Sequence, residues 1–167
     1  MRQLFIVLIV TISVSGCALQ NVQLYKGDPL PDSEQATISA VGIYHERDLS
    51  LQITEVDGAS VSTNRSASFL VLPGKHEVKV HAQKDLFVSS SRISYKEADI
   101  KTMVSVKKGH TYIPDAITDG KRIRVYFDDK GIGFPRECLP LYIAINNSTN
   151  PGAMLYATDK KCELPKD

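Results

Sequence analysis

"FLVLPGKHEVKV", residues 69–80, decides the fold of this chain. Beyond Pro73-Gly74, Val78 and Val80 alternate with Glu77 and Lys79, and His81 and Ala82 continue the pattern. A period of two sends successive side chains to opposite faces, which marks a half-buried strand. Proline presets φ for a turn, and glycine supplies the conformation that a turn's second position needs. The stretch therefore reads strand, turn, strand.

The same grammar extends in both directions. In "LSLQITEVDG" (49–58) Leu49, Leu51 and Ile53 face one side and Ser50, Gln52 and Thr54 the other, before an Asp-Gly turn signal. "IKTMVSVKKGHTYIPDA" (100–116) offers a strand, a turn at Lys108-Gly109 and another strand, and "RIRVYFDDKGIGF" (122–134) repeats the pattern around Asp129–Gly131. "CLPLYIAIN" (138–146) reads as a late, more buried strand, and the short stretch "SYKEADIK" (94–101) as a helix candidate. With no sustained 3.6-residue apolar period, the expectation is all-β: an antiparallel sandwich or open barrel of about seven to nine strands across residues 36–167.

Ahead of this domain, Arg2 and the apolar run "LFIVLIVTISV" (4–14) have the order of a secretory signal peptide, residues 1–16. The run is well short of the roughly 20 residues that a membrane-spanning helix needs. It ends in Val14-Ser15-Gly16-Cys17, which resembles the bacterial lipobox, with Val14 where leucine is usual. The resemblance implies that Cys17 receives a diacylglyceryl group and becomes the new N-terminus. The plainer alternative is an ordinary secretory signal with a chance cysteine. One acyl chain holds a protein only marginally, whereas two or three hold it firmly. Ala18, where the enterobacterial sorting pattern would use aspartate for inner-membrane retention, implies the outer membrane, with the domain in the periplasm or at the cell surface. Residues 17–35, with two prolines and a glycine, read as a flexible tether.

The processed chain of about 150 residues suffices for one domain. Twenty basic residues stand against 19 acidic, and Arg2 leaves with the signal, so no global field steers the protein toward nucleic acid. With Cys17 lipidated, Cys138 and Cys162 remain, and in an oxidising compartment two such thiols are expected to pair. The bridge would contribute roughly 3 kcal/mol on the chain-entropy model. A metal pair or a redox couple is the alternative, although no CxxC spacing and no intervening histidine supports either.

The series "ITEVDG", "FLVLPGKHEVKV", "VSVKKGHTYI" is similar to a pattern in small bacterial envelope lipoproteins of unassigned function, and to the short β-sandwich repeat called PEGA. The likeness covers roughly residues 50–115 and consists mostly of turn chemistry. It implies a fold and a cell-envelope setting, and no catalytic residues.

No cofactor and no metal site is expected. His76 and His81 are an odd number of residues apart and so point to opposite faces of one strand; His45 and His110 stand elsewhere. No GxSxG elbow accompanies Ser89-Ser90-Ser91, and "GIG" (131–133) lacks the helix a phosphate cradle needs. Lys107, Lys108, Arg122 and Arg124, with Lys121, would form a basic patch if their segments are adjacent. Otherwise they are solvated strand faces and edge-protecting charges. The sequence thus supports a non-catalytic envelope lipoprotein acting as an interaction or accessory module, anchored in the membrane and meeting an envelope protein or glycan. A binder of an envelope glycan or small anionic ligand, with Tyr112 or Tyr126 as aromatic platforms, is second. A hydrolase is third.

Overall fold

Leu49, Leu51 and Ile53 are buried beside Val78, Val80 and Ala82 of the neighbouring strand, and this apolar ladder forms one half of the core. The computed structural model describes residues 20–43, 49–63, 66–88, 91–118, 122–147 and 162. The expected signal peptide, Cys17, His45, Ser89 and Ser90 lie outside the described residues. Among the described residues nine strands form: β1 (Gln20–Gln23), β2 (Ala36–Ser39), β3 (Leu49–Val56), β4 (Ala59–Ser60), β5 (Ser66–Val71), β6 (Gly74–Val88), β7 (Ser91–Val106), β8 (His110–Thr118) and β9 (Ile123–Ile132). A 3₁₀ turn (Arg136–Cys138) and helix α1 (Leu139–Asn147) follow.

The strands make two open sheets, one of five strands in the order β1-β5-β2-β8-β9 and one of four in the order β4-β3-β6-β7. The all-β sandwich is therefore present, without closure into a barrel. Its inner faces meet through Ile38, Phe69, Val71 and Tyr112 from the first sheet and Leu51, Ile53, Val78, Val80 and Val104 from the second. A bulge between Ile53 and Glu55 shifts the register by one and returns Val56 to the core.

Several expectations need correction. The four-stranded sheet is antiparallel, but in the five-stranded sheet β1 runs parallel to β5 and β2 parallel to β8. The Pro73-Gly74 and Lys108-Gly109 turns join strands of different sheets, so they are corners of the sandwich and not hairpins. Turn residues set a reversal of direction; which strands then pair is decided by burial across the layers. The Asp57-Gly58 turn is a genuine hairpin, with φ of 49° and 80°, the two positive values that a two-residue primed turn demands.

Residues 94–101 are the middle of β7, since Ala98 and Ile100 continue inward the period that Val104 and Val106 begin. Residues 139–147 are helical. Leu139 and Ile143, one turn apart, cover Ile43 and Ile113 on the outside of the five-stranded sheet. An unbroken apolar run carries no period, and Pro140 is acceptable in a helix's first turn. Asp129–Gly131 lie within β9, which stays paired with β8 as far as Ile132.

The expected tether is part of the domain over residues 20–35. β1 is hydrogen-bonded to β5, and Gln35, almost fully buried, organises the loop that follows. Its Nε2 donates to the Leu30 carbonyl at 2.9 Å, and the Tyr25 hydroxyl donates to its Oε1 at 2.9 Å. Proline and glycine here shape an ordered loop whose polar groups are satisfied internally.

The two sheets are stitched where β2 ends. Gly42 donates to the Leu51 carbonyl at 3.1 Å and Ile43 to the Pro114 carbonyl at 3.1 Å. A Cβ on Gly42 would stand 2.5 Å from the Pro114 oxygen, so only glycine permits this crossing.

Candidate functional site

The outer face of the five-stranded sheet is the unusual surface of the molecule. Along β2, Ala36 and Ile38 point into the core, which leaves Thr37 and Ser39 on the other side. Along β8, Tyr112 points inward, and Thr111 and Ile113 outward. Thr37 and Thr111 are register partners on adjacent parallel strands, so their side chains lie next to each other. Both are at least nine-tenths buried, at 5% and 2% exposed. Ser39 and Ser68 on the same face are also buried and each donates a hydrogen bond, to the Val41 carbonyl and to Asn21 Oδ1, both at 2.7 Å. Among the described residues neither threonine hydroxyl has a protein partner.

These two hydroxyls floor a cleft of about 310 Å³. One wall is the loop carrying Asp32 and Ser33, held by Gln35 Nε2, which also reaches Asp32 Oδ1 at 3.3 Å. The opposite wall runs from Ile132 through Phe134 to Glu137. The Arg136 guanidinium donates to Asp32 Oδ1 across the opening and ties the walls together. Backbone bonds from Gly109 to the Gln35 carbonyl (2.7 Å) and from Gly133 to the Gly109 carbonyl (3.3 Å) set the depth. Phe134 is fixed from behind by an edge-on contact with Tyr142, centroids 5.4 Å apart, and Lys130 Nζ stands 4.8 Å above the Tyr142 ring.

The cysteine pair supports this wall. Cys138 and Cys162 form a disulfide, with Cα atoms 5.5 Å apart. Cys138, fully buried, directly follows Glu137 on the cleft rim. The bridge thus anchors the 3₁₀ turn that presents Arg136.

The other site candidates are dispersed. Lys107 and Lys108 are exposed at the β7–β8 corner, beside the β8 end where His110 faces Ile132. Arg124, also exposed, faces Ile117 at the opposite end, and Arg122 lies just before β9. At 3.3 Å per residue the two basic pairs are about 25 Å apart, so the single patch is not formed. Tyr112 is buried in the core, its hydroxyl accepting from the Lys107 N–H at 3.0 Å, and burial pushes its phenol above the usual range. It offers no platform. Tyr126 is partly exposed; its hydroxyl donates to the buried Asp115, and that bond pushes its pKa up to about 12.

The histidines serve local contacts. His76 Nδ1 lies 2.6 Å from Asp57 Oδ2 and its Nε2 2.7 Å from the Leu72 carbonyl, which locks the β3–β4 hairpin to the Pro73-Gly74 corner. His81 is on the opposite face beside Asp99, which it and Lys79 hold below the usual carboxylate range. His110 Nδ1 lies 2.7 Å from Asp129 Oδ1. Burial works to raise the Asp129 carboxyl, but His110 and the Gly131 N–H together hold it low. His110 stands on the Tyr112 side of β8, centroids 6.2 Å apart, and does not line the cleft. Among the described residues no group of three or more His, Cys, Asp or Glu is placed to hold a metal ion.

The threonines, Asp32, Phe134 and Arg136 were not legible as a site. A threonine between apolar neighbours on a strand reads as a solvent-facing position, and nothing local says that β2 and β8 become neighbours. No protein-family model, no curated protein and no solved structure matches the chain. The likenesses to the lipobox and to PEGA rest on the residues that carry them.

Proposed function

We propose that this protein is a lipid-anchored module of the bacterial cell envelope, attached through Cys17 to the outer membrane and working by contact, without catalysis. The observation that carries this reading is the position of β1. The strand begins at Gln20, three residues after Cys17, and is bonded into the sheet. An extended chain spans at most about 3.6 Å per residue, so the leash is about 11 Å long. Such a domain rests against the leaflet and presents fixed faces to its surroundings. Tethering raises the local concentration of any partner in the same membrane or the adjoining space. Its partner is an envelope protein or glycan.

The test is chemical cross-linking in intact cells, comparing the wild-type protein with Cys17→Ser. A reproducible partner recovered with the wild type and lost with the variant supports the module. The same partners with both would show that the anchor does not set the encounter.

A second reading, the binding of a ligand by the domain itself, is favoured by the cleft over Thr37 and Thr111.

A further inference from the structure

We propose that the cleft floored by Thr37 and Thr111 is a binding site for a neutral sugar ring, the end or a short segment of a glycan. The inference stands independently of acylation at Cys17.

The floor is the first argument. A buried hydroxyl without a partner is disfavoured by about 1–3 kcal/mol, so native folds seldom leave two of them side by side. The cleft is open, so water can reach both. A ligand that replaces that water must offer groups that donate and accept at the same point, because a threonine hydroxyl does both. Adjacent sugar hydroxyls have that property. An ionised carboxylate or a fully ionised phosphate group offers acceptors only and would leave the accepting capacity of both threonines unused.

Charge at the rim points the same way. Among the described residues, Asp32 and Glu137 stand against one cation lining the cleft, Arg136, and that guanidinium is engaged by Asp32. An anionic ligand would have to break this pair and face two carboxylates. A hydroxyl can join the pair, accepting from the guanidinium and donating to the carboxylate without separating them.

Shape is the third argument. Phe134, held by Tyr142, and Ile132, 78% exposed, give the cleft an apolar side. A pyranose has an apolar C–H face as well as a rim of hydroxyls, and it fits a site with one apolar wall and a polar floor. A volume of about 310 Å³ is at the lower end of small-molecule sites and admits roughly one or two rings. The walls are preset by the disulfide, the Gln35 bonds and the Phe134–Tyr142 contact, so little ordering opposes binding.

The experiment is an NMR titration of the mature protein with glucose, galactose, N-acetylglucosamine, maltose, lactose and chitobiose, with inorganic phosphate as the anion. At least one sugar should shift the Thr37 and Thr111 amides saturably, and phosphate should not. Thr37→Val with Thr111→Val, which keeps the shape and removes both hydroxyls, should weaken that sugar at least tenfold, whereas Thr37→Ser with Thr111→Ser should retain it. If the valine pair lowers the melting temperature, Phe134→Leu provides the same comparison on the wall and should weaken binding severalfold. The proposal is overturned if no sugar in the panel moves these amides, if phosphate moves them more than any sugar, or if sugar binding is unchanged in the folded valine or leucine variants.

Discussion

Gly42→Ala tests the stitching of the two sheets. The added methyl carbon would lie 2.5 Å from the Pro114 carbonyl oxygen and 2.8 Å and 2.9 Å from Cβ and Cδ1 of Leu51. Leu51 can adjust its end, but the Pro114 oxygen belongs to a strand paired on both sides and already accepts from Ile43. Relief therefore requires the crossing segment to move and weakens the Gly42 and Ile43 hydrogen bonds together. Overpacking of this kind costs about 1–3 kcal/mol, and a backbone obstacle places it near 3. With a urea m-value of about 2 kcal/mol/M, the unfolding midpoint should fall by about 1.5 M with m unchanged. Gly58→Ala is the control. It has a φ of 80° with nothing within 4 Å of the new carbon, so only backbone strain of about 1 kcal/mol applies. Urea denaturation followed by far-ultraviolet circular dichroism suits a protein without tryptophan. A Gly42→Ala midpoint equal to wild type, or above that of Gly58→Ala, would refute the close approach.

Three further expectations follow from single contacts. Reducing the Cys138–Cys162 bridge, which spans 24 positions, should destabilise the domain by about 3 kcal/mol and lower its melting temperature; an unchanged melting temperature together with two titratable thiols in the folded protein would contradict it. Asp57→Ala removes the acceptor for the Glu77 N–H and His76 and places a Cβ-bearing residue without a side-chain cap at φ 49°, which should cost about 2 kcal/mol. Asp57→Gly should recover only the backbone part, so an Asp57→Gly midpoint equal to or above wild type would show that the carboxylate contacts contribute nothing. Tyr126 stays protonated in the folded state up to about 12, above its ordinary value near 10. Its bond to Asp115 therefore stabilises the fold fully below pH 10 and is lost as pH climbs through 12. Spectrophotometric titration of Tyr126→Phe should lack one late-ionising tyrosine, and loss of an early one instead would exclude the Asp115 bond.

The sequence shows the strands where the alternation is strict and one face is buried. Leu49, Leu51, Ile53, Val78, Val80 and Ala82 are core residues, as the period of two requires. It conceals the sheet partners, because Pro73-Gly74 and Lys108-Gly109 reverse the chain equally well for a hairpin or a corner. It misleads in residues 139–145, where apolar side chains follow one another without a period and the deciding fact is Ile113, distant in the chain, needing cover. The disulfide was legible from the number of cysteines. The cleft was not, since its floor joins two strands far apart in sequence and its rim depends on a single ion pair between Asp32 and Arg136. The basic patch was misplaced for the converse reason: segments close in sequence are held apart by the length of the β8–β9 ribbon.

The central claim, an anchored module whose first strand follows its lipid by three residues, is tested most directly by mass spectrometry of the N-terminal peptide from the membrane-extracted protein. The account predicts a peptide that begins at Cys17 and carries a diacylglyceryl group, and its disappearance from the membrane fraction in Cys17→Ser. A peptide that begins elsewhere, or an unmodified Cys17 in a protein still found in the membrane fraction, would contradict it.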